Sequence, residues 1–398
     1  MSVRTVQVEE IAVVFNGKTP SKAEQRNSGH PVLKIKDVDE SGRFVGRFDS
    51  FVDLDFAESL PGKMVQHGDT LILNAAHNAE YVASKSFFVH GSAVGAMATG
   101  EWLVLRPVAK QANARFLFYW SQHAETRKKL GALVKGIHLY PKDVAELPIS
   151  LPELSEQKRI AELLEQADRL RRIRRCALEL SDTFLAAAFL DFFGDPKKNP
   201  KNWPYEPLAK LCNRFSDGPF GSNLKTVHYR TSGIRVIRLQ NIGVGEFLNE
   251  DKAFISIEHF AELRKHECRS GDVLIGTLGD PNLRACIQPA DIHIALNKAD
   301  CVQARPNPQK VTAEFLCWLL NIPSTLLLAP GIVHGQTRER ISMGQLAELP
   351  VPVPPVSFQE QFTKLVSRHE HLRSTQREAL RQAGHQFQSL LRRAFAQH

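Results

Sequence analysis

The chain has 398 residues, with 51 lysines and arginines against 43 aspartates and glutamates, a formal charge of +8. Single cores seldom grow past roughly 250 residues, so two or three domains are expected. Its 43% hydrophobic and 24% charged residues, the lack of any apolar run near the roughly 20 residues of a membrane span, and the acid-bearing start MSVRTVQVEEIAVVF count against disorder, membrane insertion and a secretory signal. A cytoplasmic protein is expected, and the basic balance favours polyanionic partners.

In chain order, PVLKIK (31–36) and TLILN (70–74) alternate or run apolar between Gly, Asn, Asp and Pro, and read as strands. AELPISLPELSEQ (145–157) then leads into one long helix, with Ser155 as its expected N-cap. The helix keeps Ile160, Leu163, Ala167, Leu170, Ile173, Ala177, Leu180, Phe184 and Ala187 in steps of three and four. It stops at Phe193-Gly194-Asp195-Pro196, where glycine suits a left-handed C′ position and proline cannot continue. At ~1.5 Å per residue it spans on the order of 57 Å.

Asn202-Trp203-Pro204-Tyr205 opens a second run of strands, including VIRLQNI (236–242) and DVLIGTL (272–278). AELPVPVPPVSFQ (347–359) leads into a second long helix through Phe362, Leu365, Leu372 and Phe387, with Ser357 and Glu360 spaced as a capping box. The two proline-bearing segments lie 202 residues apart, about half the chain. Further pairs follow: GHPVLKIKDV with GIRVIRLQNI, GDTLI with GDVLI, and FLFYW with FLCWL. The chain is thus a tandem repeat of a unit too long for a solenoid.

The fold class expected is α+β: two similar strand-rich modules, 1–152 and 196–354, separated by two long antiparallel helices, 153–195 and 355–398, that form a coiled coil. Ile160, Leu163, Leu170, Phe184, Phe362, Leu365, Leu372 and Phe387 are the expected coiled-coil and partner-docking residues. A helix lying only along its own module would overrun a domain about 35 Å across.

Catalytic and cofactor motifs are missing. NWPY resembles the N-P-P-Y grip of amino-methyltransferases but has tryptophan at the first proline position, and Gly17-Lys18-Thr19 lacks the glycine five residues before it that a P-loop needs. Asp217-Gly218-Pro219-Phe220-Gly221-Ser222 reads as a tight loop. The six cysteines have no metal-site spacing, and no metal is expected. Binding remains: Lys, Arg, Asn and Gln side chains on loops of a rigid scaffold suit phosphates and base edges. The DNA-binding candidates are Lys34, Lys36, His77, Asn78, Lys135 and His138 in the first module. In the second they are Lys225, Arg238, Gln240, Asn241, Thr277, Asn297, Lys298, Gln336, Thr337, Arg338 and Arg340.

On the two-fold repeat, the segments AELPISLPELSEQKRIAELL and AELPVPVPPVSFQEQFTKLV, and GIRVIRLQNI, GDVLIGTL and GQTRERIS, the chain resembles the specificity subunits of type I restriction-modification systems over nearly its whole length. It departs from the family pattern at Phe358, and Asn74-Ala75-Ala76-His77 stands where the second module has Gly276-Thr277-Leu278-Gly279. The resemblance implies two DNA target-recognition domains, each reading half of a bipartite site in double-stranded DNA. The helices would set the gap and dock two modification subunits. S-adenosylmethionine, ATP and Mg would then sit on modification and restriction subunits, with no cofactor on this non-catalytic chain. The open alternatives are a stand-alone sequence-specific DNA-binding protein and the specificity subunit of a related type II enzyme.

Overall fold

Among the described residues, the β-branched and aromatic runs of the first half fold into ten short strands: β1 (Arg4–Gln7), β2 (Ala12–Asn16), β3 (Gln25–Arg26), β4 (His30–Leu33), β5 (Phe51–Val52), β6 (Thr70–Leu73), β7 (Ser86–Phe88), β8 (Met97–Ala98), β9 (Trp102–Pro107) and β10 (Pro148–Leu151). Between them lie α1 (Leu54–Glu58), α2 (Ala114–Gln122), α3 (Ala124–Ala132) and α4 (Pro141–Ala145), and after them the forty-residue α5 (Leu154–Phe193). The computed structural model describes residues 4–219, 221–329 and 340–396. They fall into two units, Met1–Arg175 with Glu378–His398, and Cys176–Arg377.

In the first unit, β2-β9-β6-β7 form an antiparallel sheet, β3-β5-β4-β8 a mixed sheet with β4 parallel to β8, and β1 pairs with β10. The second unit carries β11 (Tyr205–Pro207), β12 (Cys212–Ser216), β13 (Tyr229–Arg230), β14 (Ile234–Ile237), β15 (Ala253–Ile255), β16 (Glu267–Arg269), β17 (Val273–Gly276), β18 (Arg284–Ile287), β19 (Ile294–Asn297), β20 (Cys301–Pro306) and β21 (Pro350–Pro352). Its helices are α6 (Ile257–Glu262), α7 (Ala313–Asn321), α8 (Met343–Ala347) and the forty-residue α9 (Val356–Phe395), which returns to the first unit. The strand orders β12-β20-β17-β18, β13-β15-β14-β19-β16 and β11-β21 repeat those of the first unit strand for strand, with β16 added at one edge. The sequence repeat is therefore a repeat of α+β topology.

Shared residues explain the shared fold. Asp69 accepts from Arg106 Nε at 3.0 Å and Nη2 at 2.7 Å, and Asp272 accepts from Arg305 Nε and Nη2 at 2.8 Å each. In each bidentate pair the buried partner is the aspartate of the glycine-aspartate that opens the GDTLI and GDVLI strands. Gly17 and Gly218, dismissed as cofactor loops, are close approaches of backbone. A Cβ at Gly17 would lie 2.2 Å from the Ala98 carbonyl oxygen, and one at Gly218 2.1 Å from the Lys298 carbonyl carbon.

The segments before the long helices are tied by a buried glutamine in each copy. Gln157 Oε1 accepts from Asn113 N at 2.8 Å while its Nε2 donates to Pro152 O at 2.9 Å. Gln359 Oε1 accepts from Thr312 N at 2.9 Å and its Nε2 donates to Pro354 O at 2.8 Å. The helices start at Leu154 and Val356, so Ser155 and Ser357 lie inside the first turn and not at the N-cap. The caps fall to Glu153 and Pro355, whose carbonyls accept from Gln157 N at 2.9 Å and Gln359 N at 3.2 Å. At the other end of α5, Gly194 has φ 82° and the indole Nε1 of Trp203 donates to Phe193 O at 3.0 Å. The tryptophan of the NWPY string thus closes a helix end.

The helices pack antiparallel, and also on the modules. In the first unit, Leu164 and Ala167 of α5 and Phe387 and Leu391 of α9 share a core with Phe88, Phe118 and Tyr119. In the second, Leu185, Phe189 and Phe193 of α5 pack with Phe362 and Val366 of α9 and with Phe315 of α7. Phe358, the departure from the family pattern, joins this aromatic cluster, 5.6 Å from Phe193 and 5.9 Å from Trp203 between ring centroids.

The expected coiled-coil seam is corrected in part. Phe362 and Phe387 are buried, Ile160 and Leu365 partly so, while Leu163, Leu170, Phe184 and Leu372 are exposed. The reason is that α2 and α7 also press on the helices. The buried stripe of α5 is consequently rotated to Ala161, Leu164, Ala167, Leu185, Phe189 and Phe193, leaving a second apolar face outside.

Candidate nucleic-acid interface

In the first module, the loop after β6 and the segment before α4 are held together by backbone. Leu139 N donates to Asn74 O at 3.0 Å, and Ala75 and Lys135 each bridge His138. This brings the loop of His77 and Asn78 beside that of Lys135 and His138, all four exposed. Asn78 Oδ1 accepts from Glu80 N at 3.1 Å, and Lys135 pairs with Asp143 at 2.6 Å. Lys34 and Lys36 sit on the turn after β4, where buried Asp37 accepts from Lys34 N at 2.7 Å. Lys36 reaches Asp49 at 2.8 Å, and that hydrogen bond lifts the lysine above its ordinary pKa and lowers that of the aspartate.

The second module repeats this construction. Ile341 N donates to Thr277 O at 3.0 Å and Leu278 bridges Arg340, as Leu139 and His138 do in the first. Thr277 N donates to Asp300 O at 3.1 Å, where Asn74 N donates to Glu101 O at 2.8 Å. These bonds pair Asn74 with Thr277 and correct by one residue the register expected there, in which Asn74 faced Gly276. The β6 and β17 ladders decide it, ending at Leu73 and Gly276.

Three candidates are withdrawn as DNA contacts because they are buried and occupied. Asn241 Oδ1 accepts from Arg238 N at 2.9 Å and its Nδ2 donates to Leu248 O and Asp251 O, the role Asp37 has in the first module. Asn297 Nδ2 donates to Cys301 O at 3.0 Å, and Thr277 Oγ1 to Asp300 O at 3.2 Å. Lys225 and Gln240 are exposed, whereas Arg238 is half-buried, with Nε 2.7 Å from Asp251, and like Lys298 it lies 5.9 Å from the centroid of the Tyr229 ring. Arg340 pairs with Asp300 at 2.7 Å. Gln336, Thr337 and Arg338 lie outside the described residues.

Such half-exposed ion pairs are worth little in themselves, and a phosphate can replace the carboxylate at small cost. What the strings did not disclose is the set of internal ties: Gln157 and Gln359, the two Arg–Asp pairs, and the cations Lys85 and Arg284. The aligned GD and S-x-Q residues of the two copies were the available signal.

Among the described residues no group of three or more His, Cys, Asp or Glu side chains could hold a metal ion, and no helix is long and apolar enough to cross a membrane. Burial pushes the thiols of Cys286 and Cys301 up to about 12, which makes them inert.

Residues 2–178 match the family model for the type I restriction modification DNA specificity domain. Two solved structures share the fold. One chain comes from work on complex assembly and conformational transition of a type I restriction-modification system; it is 17% identical with a TM-score of 0.60, over 99% of this chain and 97% of that one. The other is the S subunit of a type I system from M. genitalium, 13% identical with a TM-score of 0.57, over 100% and 97%. No curated protein matches.

Proposed function

From the match of residues 2–178 to the type I restriction modification DNA specificity domain and the repeat of that unit's topology in the second half of the chain, we propose that the chain is a specificity subunit of this family and that each of its modules reads one half of a bipartite, asymmetric site in double-stranded DNA. The observation that carries this is the duplicated scaffold with unlike polar loops. The same backbone bonds hold His77, Asn78, Lys135 and His138 in one module and Arg340 with the 277–281 loop in the other. Equal frames with different side chains suit two different short sequences, because base identity is read by donor and acceptor patterns and frame position is set by phosphates.

The long helices set the gap between half-sites and dock modification subunits. Exposed Leu163, Leu170 and Ile173 in the first unit, and Leu180 and Phe184 in the second, support this, since large apolar side chains repeated along one helix seek a partner. In this reading the chain contributes no catalytic group. S-adenosylmethionine belongs to the modification subunits, ATP and Mg to restriction subunits, and the complex works on DNA in the cytoplasm.

The test is methylation by the chain purified alone and with a modification subunit. Sequence-specific methylation in the mixture only is expected. Tight specific binding by the lone chain would favour a stand-alone DNA-binding protein, and cleavage without a separate restriction subunit a type II relative. Removing one heptad from each helix should shorten the tolerated gap on a randomised-gap library and leave both half-sites unchanged.

A further inference from the structure

Arg284 opens β18, one strand from the loop that follows β17. Its guanidinium is half-buried and makes no ion pair among the described residues. It is spent instead on four backbone carbonyls. Nε donates to Ile242 O at 2.7 Å and Nη2 to Leu239 O at 3.2 Å, on the turn that carries Gln240. Nη1 donates to Leu278 O at 3.1 Å and Pro281 O at 3.0 Å, on the loop whose Leu278 bridges Arg340. One rigid fork therefore spans two surface segments that have no ladder between them. Gly276 and Gly279 leave it room: a Cβ at Gly276 would come within 3.3 Å of the Arg284 side chain, and one at Gly279 within 3.6 Å.

The first module places a cation at the same position. Ser86 faces Ile72 as Ala285 faces Ile275, so Lys85 is the counterpart of Arg284. Its Nζ donates to Val38 O at 3.1 Å, and Val38 bridges Phe44 as Ile242 bridges Phe247. The Lys85 side chain is 10% exposed, and it reaches the single carbonyl plus Glu40 at 2.9 Å. Two copies with different surface loops thus keep a half-buried cation against the same turn. The ammonium holds one segment where the planar fork holds two.

We propose that Arg284 and Lys85 are positioning residues for sequence reading: each fixes the turn after β14 or β4 against the rest of its module, and Arg284 also locks the 278–281 loop, so that the exposed side chains meet base edges in one arrangement. This rests on the reading of the modules as DNA half-site readers. Neither residue touches DNA in this account. Each acts on one module, so each governs one half-site.

The experiment uses the full chain with its modification subunit on two libraries, each randomised in one half-site, and compares wild type with Arg284→Ala, Arg284→Lys and Lys85→Ala. Arg284→Ala is expected to lower discrimination at one half-site about tenfold, the effect of roughly one base contact, and to leave the other unchanged. Lys85→Ala should act on the opposite half-site, and Arg284→Lys should recover part of the loss. Hydrogen exchange on the full chain alone gives a readout independent of methylation. Arg284→Ala should speed exchange in both 239–242 and 277–281 while the amides of β17 and β20 stay protected. Unchanged exchange in both segments, or equal loss at both half-sites by a folded variant, overturns the proposal. Faster exchange in a chain whose wild type directs no sequence-specific methylation would sink the half-site reading and leave the staple standing.

Discussion

The two modules have the same strand order and the same internal ties, yet the ion pairs that join them to the long helices differ. In the second unit, Glu246 on the loop after β14 is held by Arg373 at 3.0 Å and Arg377 at 2.7 Å of α9, and Arg373 also pairs with Asp182 of α5. In the first unit, Arg171, at the matching place in α5, pairs with Asp168 of its own helix at 2.5 Å and lies over the Phe387 ring. There Phe88, Phe118 and Tyr119 pack on the helices, and Arg115 of α2 pairs with Glu165 of α5 at 2.8 Å. Both joints have an apolar core, but the second adds an ion-pair network beside an open groove of about 560 Å³ where the first has the Arg115–Glu165 pair. Internal ties are thus common to both copies, while the attachments at the module surface are free to differ.

The strongest test of that equivalence is the bidentate Arg–Asp pair. Asp69→Ala and Asp272→Ala should each cost about 2–4 kcal/mol, because each takes a buried acceptor from a partly buried arginine and from a backbone N–H. Urea unfolding should show similar losses, and a loss confined to one variant would break the comparison. Gln157→Ala and Gln359→Ala come next, at about 1–2 kcal/mol each, since each leaves a partly buried backbone N–H without its acceptor; hydrogen exchange at Asn113 and Thr312 should locate the damage. Glu246→Gln should cost at most about 1 kcal/mol, in low salt only, because half-exposed pairs are screened. In the first unit Arg171 pairs with Asp168 within its own helix, so Arg171→Gln should change salt dependence less.

The smallest effect is that of pH. His369 lies against Ser181 and stacks on Phe184 at 5.3 Å, and burial holds its pKa below the ordinary 6.5 despite the Ser181 carbonyl. The unfolded chain therefore takes up a proton near pH 6.5 that the folded chain refuses, so stability falls as pH drops below that value and is recovered above it. Ala167 stands at the matching place in the first helix. The His369→Gln variant should lose less in urea midpoint between pH 7.5 and pH 5 than wild type, and an identical pH slope would refute the assignment.

Much of this was legible in the residues. The repeat, the α+β class, the start and stop of the first helix near Ser155 and Gly194, and the absence of a P-loop follow from spacing and from the local needs of glycine and proline. The candidate interface was legible only by residue type. Asn241 and Asn297 look like adenine readers in a string, but both side chains are buried and their Nδ2 groups donate to backbone carbonyls inside the fold. Leu163, Leu170 and Phe184 keep helical period, yet period alone cannot say which of two apolar faces turns inward.

By itself, the sequence determined that two copies of one strand-rich unit alternate with two long helices, because repeat length, hydrophobic period and capping are local properties. Only the tertiary structure decided which stripe of α5 is buried, that Asn74 pairs with Thr277, and that Lys85 and Arg284 occupy one site. Those depend on carbonyls and aromatic faces brought from distant segments, whose positions no local spacing encodes.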